Sequence, residues 1–274
     1  MIDASSPSMR LNRTVEEFLR RDRRVVVGAL LLLTVLAWAY LAAAATEMGA
    51  STTGATVRVE NMMALRPWST LDAVFMFMMW AIMMVGMMTP SATPMILLYS
   101  MVLRKRANSD NPLVPTAAFF SGYVAVWMIF SVAATGAQWG LERAALLSPM
   151  MASTSTMFAG LVLIAAGVYQ WTPYKNACLS RCRDPVWFLS RMWRDGTGGA
   201  FRMGLVHGAF CLGCCWVLMA LLFVGGVMNL LCVAAITVFV MLEKAAPFGR
   251  QMGRAAACGL VAVGGLMIAS GGSY

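Results

Sequence analysis

MGLVHGAFCLGCCWVLMALLFVGGVMNLLCVAAITVFVML, residues 203–242, runs for 40 residues without an Asp, Glu, Lys or Arg. As one helix rising 1.5 Å per residue it would reach about 60 Å, twice the ~30 Å hydrocarbon core of a bilayer. It therefore reads as two crossings. The turn is expected at Gly225–Gly226, with Asn229 capping the helix that follows. Uniformly apolar runs of this kind suit helices, which satisfy their own backbone groups in lipid, whereas barrel strands alternate.

The sequence on either side extends the pattern. Of the 274 residues, 60% are apolar and 12% charged, about half the charge of an average soluble domain. Further apolar stretches place spans at approximately 25–45, 71–88, 114–135, 150–171, 203–224, 227–242 and 254–270. The predicted fold class is all-α: a polytopic helical membrane protein of about seven transmembrane helices. A basic leader (1–24) precedes a single transmembrane domain (25–270). The alanine run closing the first span resembles a signal-peptidase site. Its apolar stretch is long for a signal segment, so an uncleaved anchor is expected. Beyond Met88 the apolar sequence continues through Pro90 and Pro94 to Leu103, so a kink or break is expected there. Residues 172–202 read as a Cys/Arg-rich loop.

Basic residues test the span count independently. With the amino terminus in the cytoplasm, the inner segments hold eighteen Lys or Arg, and the outer loops hold only Arg58, Arg66 and Arg143. Such a bias is the positive-inside pattern of a bacterial cytoplasmic (inner) membrane protein. The net charge of +9 therefore reports orientation and attraction for anionic lipid, and gives no reason to invoke nucleic acid.

Sulfur is the unusual feature: 25 Met and 7 Cys against a single histidine. At 100° per residue, His207, Cys211, Cys214 and Cys215 share one helical stripe, which Met203 and Met219 extend. Cys178 and Cys182 lie one turn apart if their segment is helical. Met76, Met79, Met83, Met84, Met87 and Met88 form a second sulfur-rich face, on the second span. The predicted topology brings Met87, Met88 and His207 to the cytoplasmic half of the bilayer. Thiolate, thioether and imidazole in a dry site suit a soft cation. Cu(I) fits best because two or three such ligands satisfy it; zinc is possible but prefers four. One helix cannot enclose a metal, so a second helix or the Cys178/Cys182 pair must contribute. Individual methionines, Cys232 and Cys258 are ordinary packing material. Glu243 and Lys244 are expected to pair at the interface.

Several stretches resemble one known family: Met87-Met-Thr-Pro90-Ser-Ala-Thr-Pro94-Met-Ile-Leu-Leu-Tyr99, Gly167-Val-Tyr169-Gln170, Lys175-Asn-Ala-Cys178-Leu-Ser-Arg-Cys182-Arg183, His207-Gly-Ala-Phe-Cys211-Leu-Gly-Cys214-Cys215-Trp216, Gly226-Val-Met228-Asn229-Leu and Glu243-Lys244. They are similar to the bacterial predicted metal-binding integral membrane proteins, which carry domain of unknown function 2182. The resemblance covers roughly residues 70–245. It implies metal binding, and some members of that family are described as copper chaperones.

Three functions are compatible with these readings. The first is Cu(I) delivery or homeostasis for a client cuproprotein of the membrane or periplasm. It would use His207, Cys211, Cys214, Cys215, Cys178, Cys182, Met87, Met88 and Met203. The second is a thiol–disulfide redox protein using the vicinal cysteines. The third is an accessory subunit of a membrane oxidase or monooxygenase complex. No nucleotide site is legible, so ATP-driven transport by this chain is not expected.

Overall fold

The computed structural model describes residues 7–54, 68–107, 112–147, 151 and 153–271. Among them the chain is helical throughout, without strands, apart from one isolated bridge between Leu147 and Ser153. In chain order the helices are α1 (Pro7–Gly54), α2 (Thr70–Ala107), α3 (Leu113–Arg143), α4 (Thr156–Trp171), α5 (Pro173–Arg183), α6 (Pro185–Met192), α7 (Gly196–Ala220), the single turn α8 (Leu222–Gly225), α9 (Leu230–Ala245) and α10 (Gly249–Gly271). Five stretches are long and apolar enough to cross a membrane: Arg23–Thr46, Thr70–Arg106, Leu113–Arg143, Gly196–Gly225 and Gly249–Ser270. The helices α4 and α9 have 16 residues each, which gives about 24 Å of rise. Residues 1–6 of the basic leader, and Arg58 and Arg66, lie outside the described residues.

The reversal inside the opening stretch falls where the sequence puts it. Gly226 has φ of +91°, a left-handed conformation that glycine adopts without a Cβ clash. Asn229 Oδ1 then accepts from the backbone N–H of Leu231 (3.1 Å) and Cys232 (3.3 Å), capping α9.

Three local expectations need correction. The helix α2 is not broken at Pro90 or Pro94 but runs through both. The hydroxyls of Thr89 and Thr93 donate to the carbonyls of Val85 and Thr89, and one face of the segment, with Ala92, Met95 and Ile96, is buried. Prolines are tolerated inside membrane helices under such conditions. Secondly, α4 begins at Thr156 rather than near 150, because Ser155 caps it by accepting from Phe158 N at 3.2 Å. Thirdly, residues 172–202 are not a loop. Thr172 and Asp184 act as N-caps, and Pro173 and Pro185 occupy the following positions, where a missing N–H costs nothing. The result is a helical pair, α5 and α6, leading into α7. Lys175 and Leu179 of α5 are fully buried.

Close helix crossings hold the bundle together. Where α3 meets α7, a Cβ on Gly204 would collide with the Phe119 carbonyl, and one on Gly122 with that of Phe201. Where α4 meets α10, a Cβ on Gly160 would lie 2.8 Å from the Gly264 oxygen, and one on Gly264 2.7 Å from the Gly160 oxygen. Small residues let backbones approach in this way where no hydrophobic effect drives helices together.

The bundle has two chemically different ends. At one, Arg23, Arg104 and Pro112 line a shared recess, the Arg106 guanidinium sits 5.1 Å over Trp193, and Arg183 donates to the carbonyls of Glu243 and Ala246. At the other, Trp68 Nε1 donates to Glu142 at 2.8 Å, and Ser153 N donates to the Phe223 carbonyl. Arg23 of α1, the start of α3 and the ends of α2, α5 and α9 therefore share the basic end.

Candidate metal centre

The α7 stripe faces inward. His207, Cys211, Cys214 and Cys215 are each at most 2% exposed, while Trp216 on the opposite face is 47% exposed. The thiols of Cys214 and Cys215 both donate to the Cys211 carbonyl at 3.0 Å, which turns their sulfurs back toward Cys211. Helical periodicity alone accounts for this part of the geometry.

Four other helices converge on Cys211. From α3, the Tyr123 hydroxyl lies 3.1 Å from Cys211 Sγ and 3.2 Å from the Met88 carbonyl of α2. One phenol thus ties the sulfur-rich segment of α2 to the cysteine stripe. From α9, Lys244 Nζ stands 2.9 Å from Cys211 Sγ and 3.1 Å from Ser91 Oγ of α2. From α5, Cys182 packs, partly buried, against the same cluster. Cys178, one turn earlier on α5, packs its sulfur against Gly213 of α7, where an added Cβ would be only 2.7 Å away. Both α5 cysteines are only partly buried, so sulfur extends from the buried stripe toward the outside of the bundle.

His207 sits one turn from Cys211 in an aromatic enclosure. Its ring centroid is 5.4 Å from that of Phe188, 5.8 Å from Tyr123 and 6.0 Å from Phe119. Its Nδ1 is buried without a hydrogen-bond partner, a free lone pair or donor that interiors seldom leave unused. Met87 and Met88 are fully buried in the core beside this region. Met203 is buried too, but its sulfur accepts from the Arg194 backbone N–H at 3.3 Å, which points it toward the segment preceding α7. Among the described residues no group of three or more His, Cys, Asp or Glu side chains is already arranged to hold a metal ion. What the structure supplies is a packed sulfur-rich cluster, an orphaned imidazole nitrogen and an ammonium group.

Sequence reasoning missed Lys175 and gave Lys244 the wrong partner. Glu243 and Lys244 do not pair with each other; being consecutive on a helix, they point about 100° apart. Glu243 accepts from Lys175 Nζ at 2.6 and 2.8 Å, both side chains being 2% exposed, and Lys175 also donates to Gln170 Oε1. Lys244 turns instead to Cys211. The signal was available, since charges set in otherwise apolar membrane sequence are expensive to bury and mark functional positions.

A family model described as PpoB2, copper chaperone, matches residues 77–267. The chain belongs to this copper chaperone family. No curated protein and no solved structure matches it. The matched stretch contains every helix that contributes to the cysteine cluster, from Met88 and Ser91 to Lys244, whereas α1 lies before it. The donor set agrees with the family: thiols, thioethers and imidazole in a water-poor interior select soft copper over hard cations. Copper handling is thus the general role, with the metal as cargo.

Proposed function

We propose that this chain is a Cu(I) chaperone of the bacterial inner membrane, passing copper to a client cuproprotein in the membrane or periplasm. The observation that carries the reading is the convergence of five helices on Cys211, with Cys182, Cys214 and Cys215 within one sulfur cluster. Cu(I) is held adequately by two or three soft ligands, and these cysteines supply them in a region closed to water. Cys178 and Cys182, being partly exposed, would receive the ion first. Stepwise exchange, in which an incoming sulfur binds before the outgoing one leaves, would then carry it to Cys211 and Cys214. The free His207 Nδ1 and the thioethers of Met87 and Met88 stand nearby as neutral donors for the loaded state.

The charge pattern supports seven crossings with the amino terminus and the basic end in the cytoplasm. Copper would then enter from the reducing side, where thiols stay available. A reporter fused after Tyr274 should be active outside the cytoplasm; cytoplasmic activity would remove the odd number of crossings.

The decisive experiment is metal content. Protein purified under reducing conditions and supplied with Cu(I) should retain about one copper per chain, as a single cluster of this size implies. Changing Cys211, Cys214 and Cys215 to Ser together should abolish retention. Wild-type protein that holds no copper would overturn the proposal. The adjacent free thiols of Cys214 and Cys215, both held on the Cys211 carbonyl, also favour a second reading, thiol–disulfide exchange. Isolation of a mixed disulfide with another protein from cells would select it instead.

A further inference from the structure

Lys244 is the observation that copper binding by cysteines does not absorb. Its ammonium, on a half-buried side chain, touches one sulfur and one hydroxyl. The adjacent carboxylate, Glu243, is committed through both oxygens to Lys175 on α5. Lys175 and Glu243 together carry no net charge, so the positive charge of Lys244 remains to be balanced by the sulfur cluster. Transferring an unbalanced charge into such surroundings is strongly unfavourable.

We infer that Lys244 is a specificity residue that makes the pocket select a monovalent over a divalent cargo. The inference rests on the copper-chaperone reading and adds the basis of its selectivity. Charge arithmetic carries it. One Cu(I) bound by two thiolates is a complex of charge −1, which the Lys244 ammonium brings to zero. A divalent ion on the same two thiolates is already neutral, so the ammonium would leave the buried site at +1. A third thiolate would restore balance for a divalent ion, so the selection operates on two-coordinate binding by Cys211 and Cys214. His207 and the methionines are neutral donors and leave this count unchanged. Cys211 is the sulfur that the ammonium contacts, and Cys214, one turn further along α7, is the second ligand.

The test compares two metals on the same full-length protein in detergent. Affinity for Cu(I) and for Zn(II) is measured by competition with chromophoric chelators, for wild type, Lys244→Met and Lys244→Arg. In Lys244→Met, Cu(I) binding should weaken about tenfold while Zn(II) binding holds or tightens, lowering the Cu(I)/Zn(II) preference by about tenfold or more. Lys244→Arg keeps the charge and should keep the preference. A purely structural role for Lys244 would weaken both metals together, leaving the ratio unchanged, and that result overturns the inference. If Lys244→Met does not purify as a folded monodisperse species, Lys244→Gln removes the same charge and is read in its place. Wild-type protein that fails to bind Cu(I) would defeat the chaperone reading itself; wild-type binding with an unchanged ratio in the variant defeats only the role of Lys244.

Discussion

Replacing Glu243 with alanine deletes one half of an ion pair whose two side chains are each 2% exposed. The contacts removed are the 2.6 and 2.8 Å hydrogen bonds from Lys175 Nζ. Lys175 would keep its neutral partner, the Gln170 carbonyl oxygen, but no counter-charge. Breaking a buried pair by removing one partner costs about 3–5 kcal/mol, because the survivor is left charged and poorly solvated. At 1.4 kcal/mol per factor of ten, that is roughly a 100- to 3,000-fold shift toward the unfolded state. Glu243→Gln retains an acceptor and should fall between alanine and wild type. The informative control removes both charges. Lys175→Met combined with Glu243→Leu leaves nothing unpaired, and such replacements are commonly neutral or stabilising. Unfolding should be followed by circular dichroism in mixed micelles titrated with a denaturing detergent. The single variant is expected to unfold well before wild type, and the double variant within about 1 kcal/mol of it. If the single and double variants were equally destabilised, the loss would come from packing, and the account of this pair as a self-neutralising unit would fail. That account matters for the metal pocket, because it is what leaves Lys244 without a carboxylate.

Two further outcomes follow from contacts elsewhere in the bundle. Gly204→Val should prevent the α3–α7 approach, since even a Cβ at this position runs into the Phe119 carbonyl; overpacking costs about 1–3 kcal/mol where neighbours can shift, and more where the obstacle is backbone. Size-exclusion chromatography should show a sharp fall in the monodisperse fraction, and wild-type yield would contradict the crossing. Tyr123→Phe removes the hydroxyl shared by Met88 O and Cys211 Sγ at a cost of about 1 kcal/mol. The protein should still fold but hold Cu(I) less tightly, so a chelator competition indistinguishable from wild type would mean that this phenol does not position Cys211.

How much of this could be read from the sequence depends on the range of the interaction. The turn at Gly225–Gly226 and the Asn229 cap were legible because both act within a few residues: one needs a backbone without a Cβ, the other a short side-chain acceptor. The buried stripe from His207 to Cys215 was legible because helical periodicity fixes which residues share a face. The second helix was harder. Pro90 and Pro94 argue locally for a break, and what overrides them is the packing of the face that carries Met88, Ala92 and Met95. Residues 172–202 misled for a related reason. Their polar and basic composition suggests a solvated loop, yet Lys175 is buried because a glutamate 68 residues away neutralises it.

The same distinction governs the candidate site. Its sulfur atoms announce themselves by composition, and the family match agrees with the chemistry they suggest. Composition, however, does not say which charge the cysteines face. Glu243-Lys244 reads as a simple pair along the chain, and only the 100° step between consecutive helical residues separates the two. One turns to Lys175 and becomes electrically silent; the other delivers a cation to Cys211. A cluster of cysteines alone would accommodate several soft or borderline metals. Cysteines facing one uncompensated ammonium impose a stricter condition, because net charge in a dry interior discriminates between ions that ligand type treats alike. The selectivity of the pocket therefore resides as much in α9, which carries no ligand sulfur into it, as in the cysteine stripe of α7.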